Sequence, residues 1–146
     1  MIKNTSMQPR RSFIFVPGLR PDMFPKALAS GVDIVCVELE DGIAPKDKAE
    51  ARQKALALFS KPQPNDGVER IVRINSMREK FGIEDVNAIL SAKTPPPALM
   101  MPKVRSPDEV KMLDQLLSEA GHDTRLHVII ETVSYTHLRA HETWSY

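Results

Sequence analysis

Charged and polar side chains follow directly after short apolar runs at several places along the chain. These residues are Glu38, Glu40, Asp41, Arg73, Asn75, Lys103 and Glu131, and the first apolar run ends in Pro17-Gly18. Because the strand-to-helix loops of a parallel α/β fold converge on one face, residues that follow successive strands meet there and bind ligands. Carboxylates combined with basic side chains indicate a site for an anionic substrate and a metal ion. The alternative for each single residue is that it caps a strand or forms an ion pair at the surface.

The apolar runs that precede these residues are predicted to be strands. They cover residues 12–16, 32–37, 70–74, 98–101 and 126–130. The second run is apolar at nearly every position, which is typical of a parallel strand that is covered on both faces. Cys36 lies in this run, and we expect it to be an inert thiol in the core.

Helices are predicted between the strands. The first begins at Pro21, where proline suits the first helical position, and stops at Gly31. The third covers residues 83–90. The fourth begins after Ser106, which forms a capping box with Glu109. Its buried stripe is predicted to consist of Val110, Leu113, Leu116 and Leu117.

The second helix is predicted to run from Pro45 through Phe59 with one buried and one solvated face. The buried face consists of Ala51, Ala55, Leu56, Leu58 and Phe59, and the solvated face consists of Lys46, Lys48, Glu50, Arg52 and Lys54. This alternation of strands and helices predicts an α/β fold with a parallel sheet. Two architectures fit the pattern equally: an open doubly wound sheet, and about the first five units of a (β/α)8 TIM barrel.

Composition excludes several classes of protein. The chain has 146 residues, which is typical of about one domain. Its 20 basic and 19 acidic residues leave a formal charge of +1, which does not favour binding to nucleic acid or to a membrane surface. No apolar run is long enough to span a bilayer, and the amino terminus lacks the apolar core of a signal peptide. With a single cysteine, the protein is predicted to be cytoplasmic.

The last fourteen residues, 133–146, differ in composition from the rest of the chain. They contain both tyrosines and the only tryptophan, and residues 133–143 resemble a translated sequencing adapter. A metal site at His137 and His141, which would share a helix face, is the alternative. We expect a flexible N-terminus at 1–10, a partial barrel domain at 11–132 and an artefact at 133–146, with the true C-terminal sequence missing.

Six motifs in order give the chain a family resemblance. They are Phe15-Val-Pro-Gly-Leu-Arg-Pro21, Ala29-Ser-Gly-Val-Asp33, Leu39-Glu-Asp-Gly-Ile-Ala-Pro45 followed by Lys48 and Arg52, Val72-Arg-Ile-Asn75, Met101-Pro-Lys-Val104 and Ile130-Glu-Thr132. Together they resemble the citrate lyase β-subunit family, the broader group that contains malyl-CoA lyases and the HpcH/HpaI aldolases. The resemblance covers residues 11–132 and implies a metal-dependent (β/α)8 barrel. In place of the frequent Asp-Leu-Glu-Asp, this chain has Glu38-Leu-Glu-Asp41.

The resemblance also implies roles for individual residues. Glu131 matches the family's ligand for Mg²⁺ or Mn²⁺, and the second ligand, an aspartate, is expected beyond the end of this chain. Arg73 matches the arginine that holds the substrate's carboxylate or carbonyl group. Glu40 and Asp41 match the acidic pair behind the metal, where they would order its waters. Pro17, Gly18 and Arg20 match the first substrate-binding loop, and Lys103 matches a lysine whose role is less defined.

These roles predict a carbon-carbon lyase that cleaves a hydroxy-acid CoA thioester by a retro-aldol or retro-Claisen reaction. The protein as given is predicted to be poorly soluble and inactive, and the full-length form to be a homo-oligomer. A CoA-independent aldolase of 2-oxo acids is the nearest alternative. A non-catalytic nucleotide- or phosphate-binding module on a doubly wound sheet is the alternative from another class, although Pro17-Gly18-Leu19-Arg20 lacks the glycines and lysine of a phosphate loop.

Overall fold

A computed structural model describes residues 12–129 and the backbone of residues 143–145. The strands are β1 (Phe13–Pro17), β2 (Ile34–Glu38), β3 (Glu69–Arg73), β4 (Ala98–Met101), β5 (Arg125–Ile129) and β6 (Thr143–Ser145). The helices are α1 (Met23–Leu28), α2 (Lys48–Leu58), α3 (Lys80–Ser91) and α4 (Pro107–Glu119), and a 3-10 turn at Pro45–Asp47 precedes α2. None of the described helices is long and apolar enough to cross a membrane.

The strands lie in the sheet in the order in which they occur along the chain. Each of β1 to β5 is parallel to its neighbour, and β6 is antiparallel to β5. In a doubly wound sheet the strand order reverses at a central switch point, whereas in a barrel it follows the sequence. The observed order is therefore that of a partial (β/α)8 barrel, and it rules out the open sheet that the sequence pattern left possible.

The two faces of the sheet are packed differently. One face contacts the helices in a large apolar core to which Val37, Val72 and Leu99 contribute from the strands and Ala55 and Leu113 from the helices. The other face carries a smaller apolar cluster composed of strand residues, namely Ile34, Cys36, Ile71, Ala98 and Met100, with Ile129 beside it. Helices that cover a single face are a further property of a barrel, in which the second face is the interior.

Most predicted elements are confirmed to within two or three residues. The capping box of α4 forms as expected, because Ser106 accepts from the amide of Asp108 while the Glu109 carboxylate accepts from the amide of Ser106. Cys36 is fully buried, and burial raises the pKa of its thiol to about 12, as an inert thiol requires. Leu116 is only half-buried in the stripe of α4.

The first helix begins two residues later than predicted. Pro21 lies in a turn, and α1 begins two residues later at Met23. The amides of Met23 and Phe24 donate to the carbonyls of Arg20 and Pro21, at 3.0 and 3.1 Å. Each bond joins residues three apart, so tight turns form before the regular helix begins. A proline fixes its own φ, which suits both a turn and a helix, and the sequence alone did not distinguish them.

Strand β1 has a large exposed apolar surface. Phe13, Ile14 and Phe15 are 40%, 37% and 43% exposed. Within the described part of the chain, β1 pairs only with β2, so its second edge has no neighbouring strand. In a closed barrel this edge is paired with the last strand.

Gly82 allows α3 to pack directly against the loop that follows β3. A Cβ atom at this position would lie 1.8 Å from the carbonyl oxygen of Ser76 and 2.7 Å from that of Asn75. Both contacts are with backbone, which cannot rotate away as a side chain can. Any larger residue therefore forces the helix and the loop apart.

We predict that Gly82→Ala lowers the free energy of unfolding by about 3 kcal/mol or more, the upper range for overpacking a core. Urea unfolding followed by circular dichroism measures this change in the full-length form of the protein, here called the gene product. Ile83→Ala is the matched control, because Ile83 is 61% exposed on the same helix and should change stability by less than about 0.5 kcal/mol. Equal effects of the two variants would contradict the close approach at Gly82.

Candidate active site at the carboxyl ends of the strands

Five charged residues meet where β2, β3 and β4 end. They are Glu38, Glu40, Asp41, Arg73 and Lys103, which we call the rim cluster. Glu38 and Arg73 are direct neighbours in the parallel register of β2 and β3. Lys103 joins the cluster from the loop after β4 and lies 3.0 Å from Glu40. The structure thus brings together the predicted residues Arg73, Glu40, Asp41 and Lys103.

The Arg73 guanidinium is the centre of the rim cluster. Its Nε donates to Glu38 Oε1 at 2.9 Å, and a terminal nitrogen forms a second bond to the other oxygen of the same carboxylate. The ring of Phe15 lies 4.6 Å from the guanidinium carbon, a cation–π contact. The hydrogen bonds to Glu38 raise the pKa of Arg73, which therefore keeps its charge. These two bonds use two of the five N–H groups of the guanidinium.

Glu40 lies between two cations. Its carboxylate is 3.6 Å from Arg73 Nε and 3.0 Å from Lys103 Nζ, and the residue is only 5% exposed. Burial raises the pKa of Glu40, because loss of water disfavours its charged form. The neighbouring Asp41 is exposed, and hydrogen bonding with Glu40 lowers its pKa, helped by Lys103. The pKa values of the two carboxyls are thus shifted in opposite directions.

Lys103 has an unusual backbone. Its φ of 53° lies in the left-handed region, the one such non-glycine residue in the described part of the chain. Arg78 donates to its carbonyl oxygen at 2.6 Å and also contacts Glu109 at the start of α4. Hydrogen bonds to Glu40 and Asp41 raise the pKa of Lys103. Strained residues of this kind are concentrated at functional sites, where the surroundings hold them in place.

Lys48 was predicted to be solvated, and this is wrong. It is only 8% exposed, and its ammonium group donates three hydrogen bonds, to the carbonyls of Leu39 and Glu40 at 3.1 and 2.8 Å and to Asn75 Oδ1 at 2.6 Å. Arg52, on the same helix, was also placed on the solvated face. Its side chain is 13% exposed and bonded to the fully buried Asp85 at 2.7 Å. Helical periodicity gives the face of a residue, but it does not reveal acceptors on neighbouring loops.

The first loop contacts the cluster through its backbone. Pro17 is in register with Glu38, and the amide of Gly18 donates to the Glu38 carbonyl at 2.9 Å. A Cβ at Gly18 would lie 2.8 Å from the side chain of Leu39, so glycine permits the close contact of this loop with β2. The Arg20 side chain is 60% exposed and bonds to Asp22 within its own loop. Of the predicted residues in this loop, only Pro17 and Gly18 border the rim cluster.

Glu131, the predicted metal ligand, lies outside the described residues, as do His137 and His141. Among residues 12–129, no group of three or more His, Cys, Asp or Glu side chains forms a metal site. The rim cluster nevertheless fits a hydrated magnesium ion close by. Its three carboxylates face two cations, so one negative charge remains. Carboxylate oxygens are the ligands that Mg²⁺ prefers, and they also accept hydrogen bonds from its waters.

Comparison with known proteins identifies the family. Residues 11–141 match the profile of the HpcH/HpaI aldolase/citrate lyase family. The chain belongs to this family. The match includes every residue of the rim cluster and extends into the segment 133–146.

Named members of the family are similar over most of this chain. Mitochondrial citramalyl-CoA lyase of Homo sapiens is 33% identical over 70% of the chain, and L-malyl-CoA/β-methylmalyl-CoA lyase of Cereibacter sphaeroides is 36% identical over 76%. The chain spans 30% and 35% of the lengths of these relatives. CitE from Mycobacterium tuberculosis, solved with magnesium, acetoacetate and coenzyme A, is 28% identical, with a TM-score of 0.64 over 87% of this chain and 43% of its own.

Sequence analysis placed Glu38 at this site without giving it a role, and it missed Asp85. Glu38 was noted as a departure from the frequent aspartate, yet it is the main partner of Arg73. Asp85 is fully buried and accepts from both the backbone and the side chain of Asn75. A signal for Asp85 existed, since an acidic residue on the apolar side of a predicted helix requires a buried partner. The spacing alone did not identify that partner.

The opposite pKa shifts of Glu40 and Asp41 predict opposite effects on stability. The raised pKa of Glu40 means that the folded state binds its proton more tightly than the unfolded state, so stability falls as pH rises from the ordinary value of 4.5 through the folded pKa. Glu40→Gln should therefore raise the urea midpoint of the gene product at pH 7, with the gain disappearing below about pH 4.

Asp41→Asn is the matched control with the opposite sign. Its pKa is lowered in the folded state, so its contribution to stability is present above the ordinary value of 3.8 and is lost as pH falls through the folded pKa. Asp41→Asn should lower the midpoint at pH 7. If the two variants shift the midpoint in the same direction at pH 7, the described electrostatics of this pair are wrong.

Proposed function

We propose that this protein acts as a magnesium-dependent carbon-carbon lyase on a hydroxy-acid CoA thioester, by retro-aldol or retro-Claisen cleavage. Membership of the family, the CoA-ester lyases among its relatives and the magnesium, acetoacetate and coenzyme A in CitE support the proposal. The observation that carries it is the placement of Arg73. Its guanidinium is anchored by Glu38 at the carboxyl mouth of the sheet, with N–H groups left over for a substrate.

Arg73 holds the substrate and stabilises the charge that develops during cleavage. When the carbon-carbon bond breaks, the hydroxyl group loses its proton to a base and becomes the carbonyl of one fragment, while the electrons of the bond pass to the other fragment, which becomes an enolate and is then protonated. A guanidinium bonds two oxygens in one plane, so it fixes a carboxylate or enolate in a defined orientation. Because Glu38 already fixes Arg73, little reorganisation accompanies the appearance of negative charge. Glu40 and Asp41 complete the catalytic group from positions beside Arg73 and Lys103.

Mg²⁺, or Mn²⁺ in its place, is held in this proposal by Glu131 and by a second carboxylate that the described residues do not include. When bound, such an ion polarises the substrate oxygen next to the bond that breaks. Glu40 and Asp41 lie at the mouth, where they accept hydrogen bonds from water and orient it. Pro17, Gly18 and Arg20 contribute the loop that faces the carboxylate or CoA end of the substrate. Lys103 keeps Glu40 and Asp41 together and adds positive charge for an anionic substrate.

A CoA-independent aldolase of 2-oxo acids is the second candidate, because the family that the chain matches includes the HpcH/HpaI aldolases. The same rim cluster suits either substrate, since both cleavages generate an enolate and both substrates carry a carboxylate. Comparing cleavage of malyl-CoA or citramalyl-CoA with cleavage of the corresponding free hydroxy acids and of 4-hydroxy-2-oxo acids separates the candidates. The cytoplasmic location, the homo-oligomeric state of the full-length form and the artefactual origin of residues 133–146 stay predictions.

We predict that Arg73→Lys lowers kcat/KM of the gene product by about 100- to 1,000-fold, the loss typical of removing one donor from a developing oxyanion. EDTA should abolish cleavage of the CoA thioester, and added Mg²⁺ or Mn²⁺ should restore it. Arg125→Lys is the matched control, because Arg125 begins β5 at the opposite end of the sheet and its side chain is 55% exposed. Full activity of Arg73→Lys, or activity that EDTA leaves intact, would overturn the proposal.

We further predict that the 146-residue chain by itself cleaves no CoA thioester and self-associates. The exposed apolar surface of β1, and its edge that has no partner strand among the described residues, offer a template for other chains. Size-exclusion chromatography with light scattering measures the association, and the thioester assay measures cleavage. A monomer that turns over substrate at the rate of the gene product would contradict this expectation.

A further inference from the structure

The Lys48 ammonium is buried at the start of α2 with every donor engaged. An ammonium group has three N–H donors, and here they contact the Leu39 carbonyl, the Glu40 carbonyl and the Asn75 side chain. The ring of Phe81 lies 5.6 Å from the nitrogen. A lysine gives up hydration only where other groups replace it, so this arrangement requires the loop after β2 and the end of β3 to be held at fixed positions.

Lys48 fixes the residue that faces both cations of the site. The carbonyl oxygen of Glu40 accepts from Lys48 at 2.8 Å, while its amide donates to Glu38 Oε1 at 2.8 Å. The carbonyl also accepts from the Ile43 amide at 3.1 Å, so Lys48 and this turn hold it together, while the amide is held from within the rim cluster. With the backbone fixed on both sides, the carboxylate is confined between Arg73 and Lys103.

The anchor of Lys48 extends into a buried network. Asn75, which accepts from Lys48, donates to the Leu39 carbonyl at 2.9 Å and to Asp85 at 2.7 Å. Asp85 in turn accepts from Arg52 at 2.7 Å. The network joins α2, α3 and the end of β3, which are separate elements of the fold. Within it Asp85 and Arg52 form an ion pair, whereas the Lys48 ammonium is held by neutral acceptors and is linked to that pair through the Asn75 amide.

We infer that Lys48 is a positioning residue for the proposed reaction: it holds the backbone of Leu39 and Glu40 so that the Glu40 carboxylate stays in contact with Arg73 and Lys103. This inference rests on the proposed function. Lys48 touches neither substrate nor metal in this scheme and acts through Glu40. Misplacement of a catalytic group by about 1 Å costs about 100-fold in rate, which sets the expected effect.

The test compares Lys48→Ala with Lys46→Ala in the gene product, since Lys46 is an exposed lysine two residues earlier. We expect Lys48→Ala to lower kcat about 100-fold with KM changed less than about threefold, and Lys46→Ala to leave both constants unchanged.

Lys48 borders a cavity of about 280 Å³ that also contacts Glu40, Asp41, Asn75 and Lys103. Methylammonium can enter there, and it should restore part of the lost rate.

Tetramethylammonium is the control for the rescue, because it carries the same charge without an N–H donor.

A second readout, hydrogen exchange, does not depend on activity. Hydrogen exchange of the Glu40 amide should accelerate about tenfold or more in Lys48→Ala, whereas the Ile34 amide, bonded to the Ser12 carbonyl at the far end of β2, should not change. If Lys48→Ala does not fold, Lys48→Gln, which keeps an N–H donor and loses the charge, replaces it in both measurements.

The outcomes separate the two proposals. If the wild-type gene product cleaves no thioester and no hydroxy acid, the proposed function fails, and the exchange measurement still decides whether Lys48 holds Glu40. If the wild type is active and Lys48→Ala keeps its kcat, or loses it without faster exchange at Glu40, the positioning role is wrong. Equal rescue by methylammonium and tetramethylammonium would also overturn it.

Discussion

The site depends on the pairing of the Arg73 guanidinium with two buried carboxylates. Charges that leave water lose several kcal/mol of hydration each, and only close partners recover this. Glu38 provides a bidentate partner and Glu40 a second negative charge, so Arg73 is stable on the inner face of the sheet. Parallel register places Glu38 and Arg73 side by side. A slip of one residue would turn one of them to the opposite face and leave the other unpaired, so the pair also favours a single register.

A second set of contacts supports this pair from the helix side. Side chains in the first turn of a helix lean toward its amino terminus, and α2 begins at Lys48, so the ammonium points back toward the end of β2. There it meets the carbonyls of Leu39 and Glu40, which have left the strand and no longer have a ladder partner. The lysine adds to the bonds that these carbonyls already accept, from the Asn75 side chain at 2.9 Å for Leu39 and from the Ile43 amide at 3.1 Å for Glu40. One side chain thereby couples the geometry of the loop to the packing of the helix.

Local pattern predicted the elements of the fold and part of the site. Strands were visible because their apolar runs are short and bounded by turn residues, and α4 was visible because its capping box is a purely local motif. Arg73, Glu40 and Lys103 were found because each lies at or just beyond the carboxyl end of a strand. Lys48, Arg52 and Asp85 were not understood, because their burial depends on acceptors and donors up to 33 residues away along the chain. Periodicity reports the direction of a side chain, and it carries no information on such distant partners.

The same reasoning explains why the choice between an open sheet and a barrel needed three-dimensional information. Both architectures repeat the same strand-helix unit, so each local segment has the same pattern in either fold. The two folds differ in the second face of the sheet, which in a barrel is the interior and is not covered by helices. Neighbouring strands lie about 4.8 Å apart, so β1 and β3 are separated by roughly 10 Å across β2. Nevertheless the ring of Phe15 on β1 lies 4.6 Å from the Arg73 guanidinium on β3. The arginine therefore leans across Glu38 along the inner face rather than into solvent, which a concave barrel wall lined with carboxylates favours.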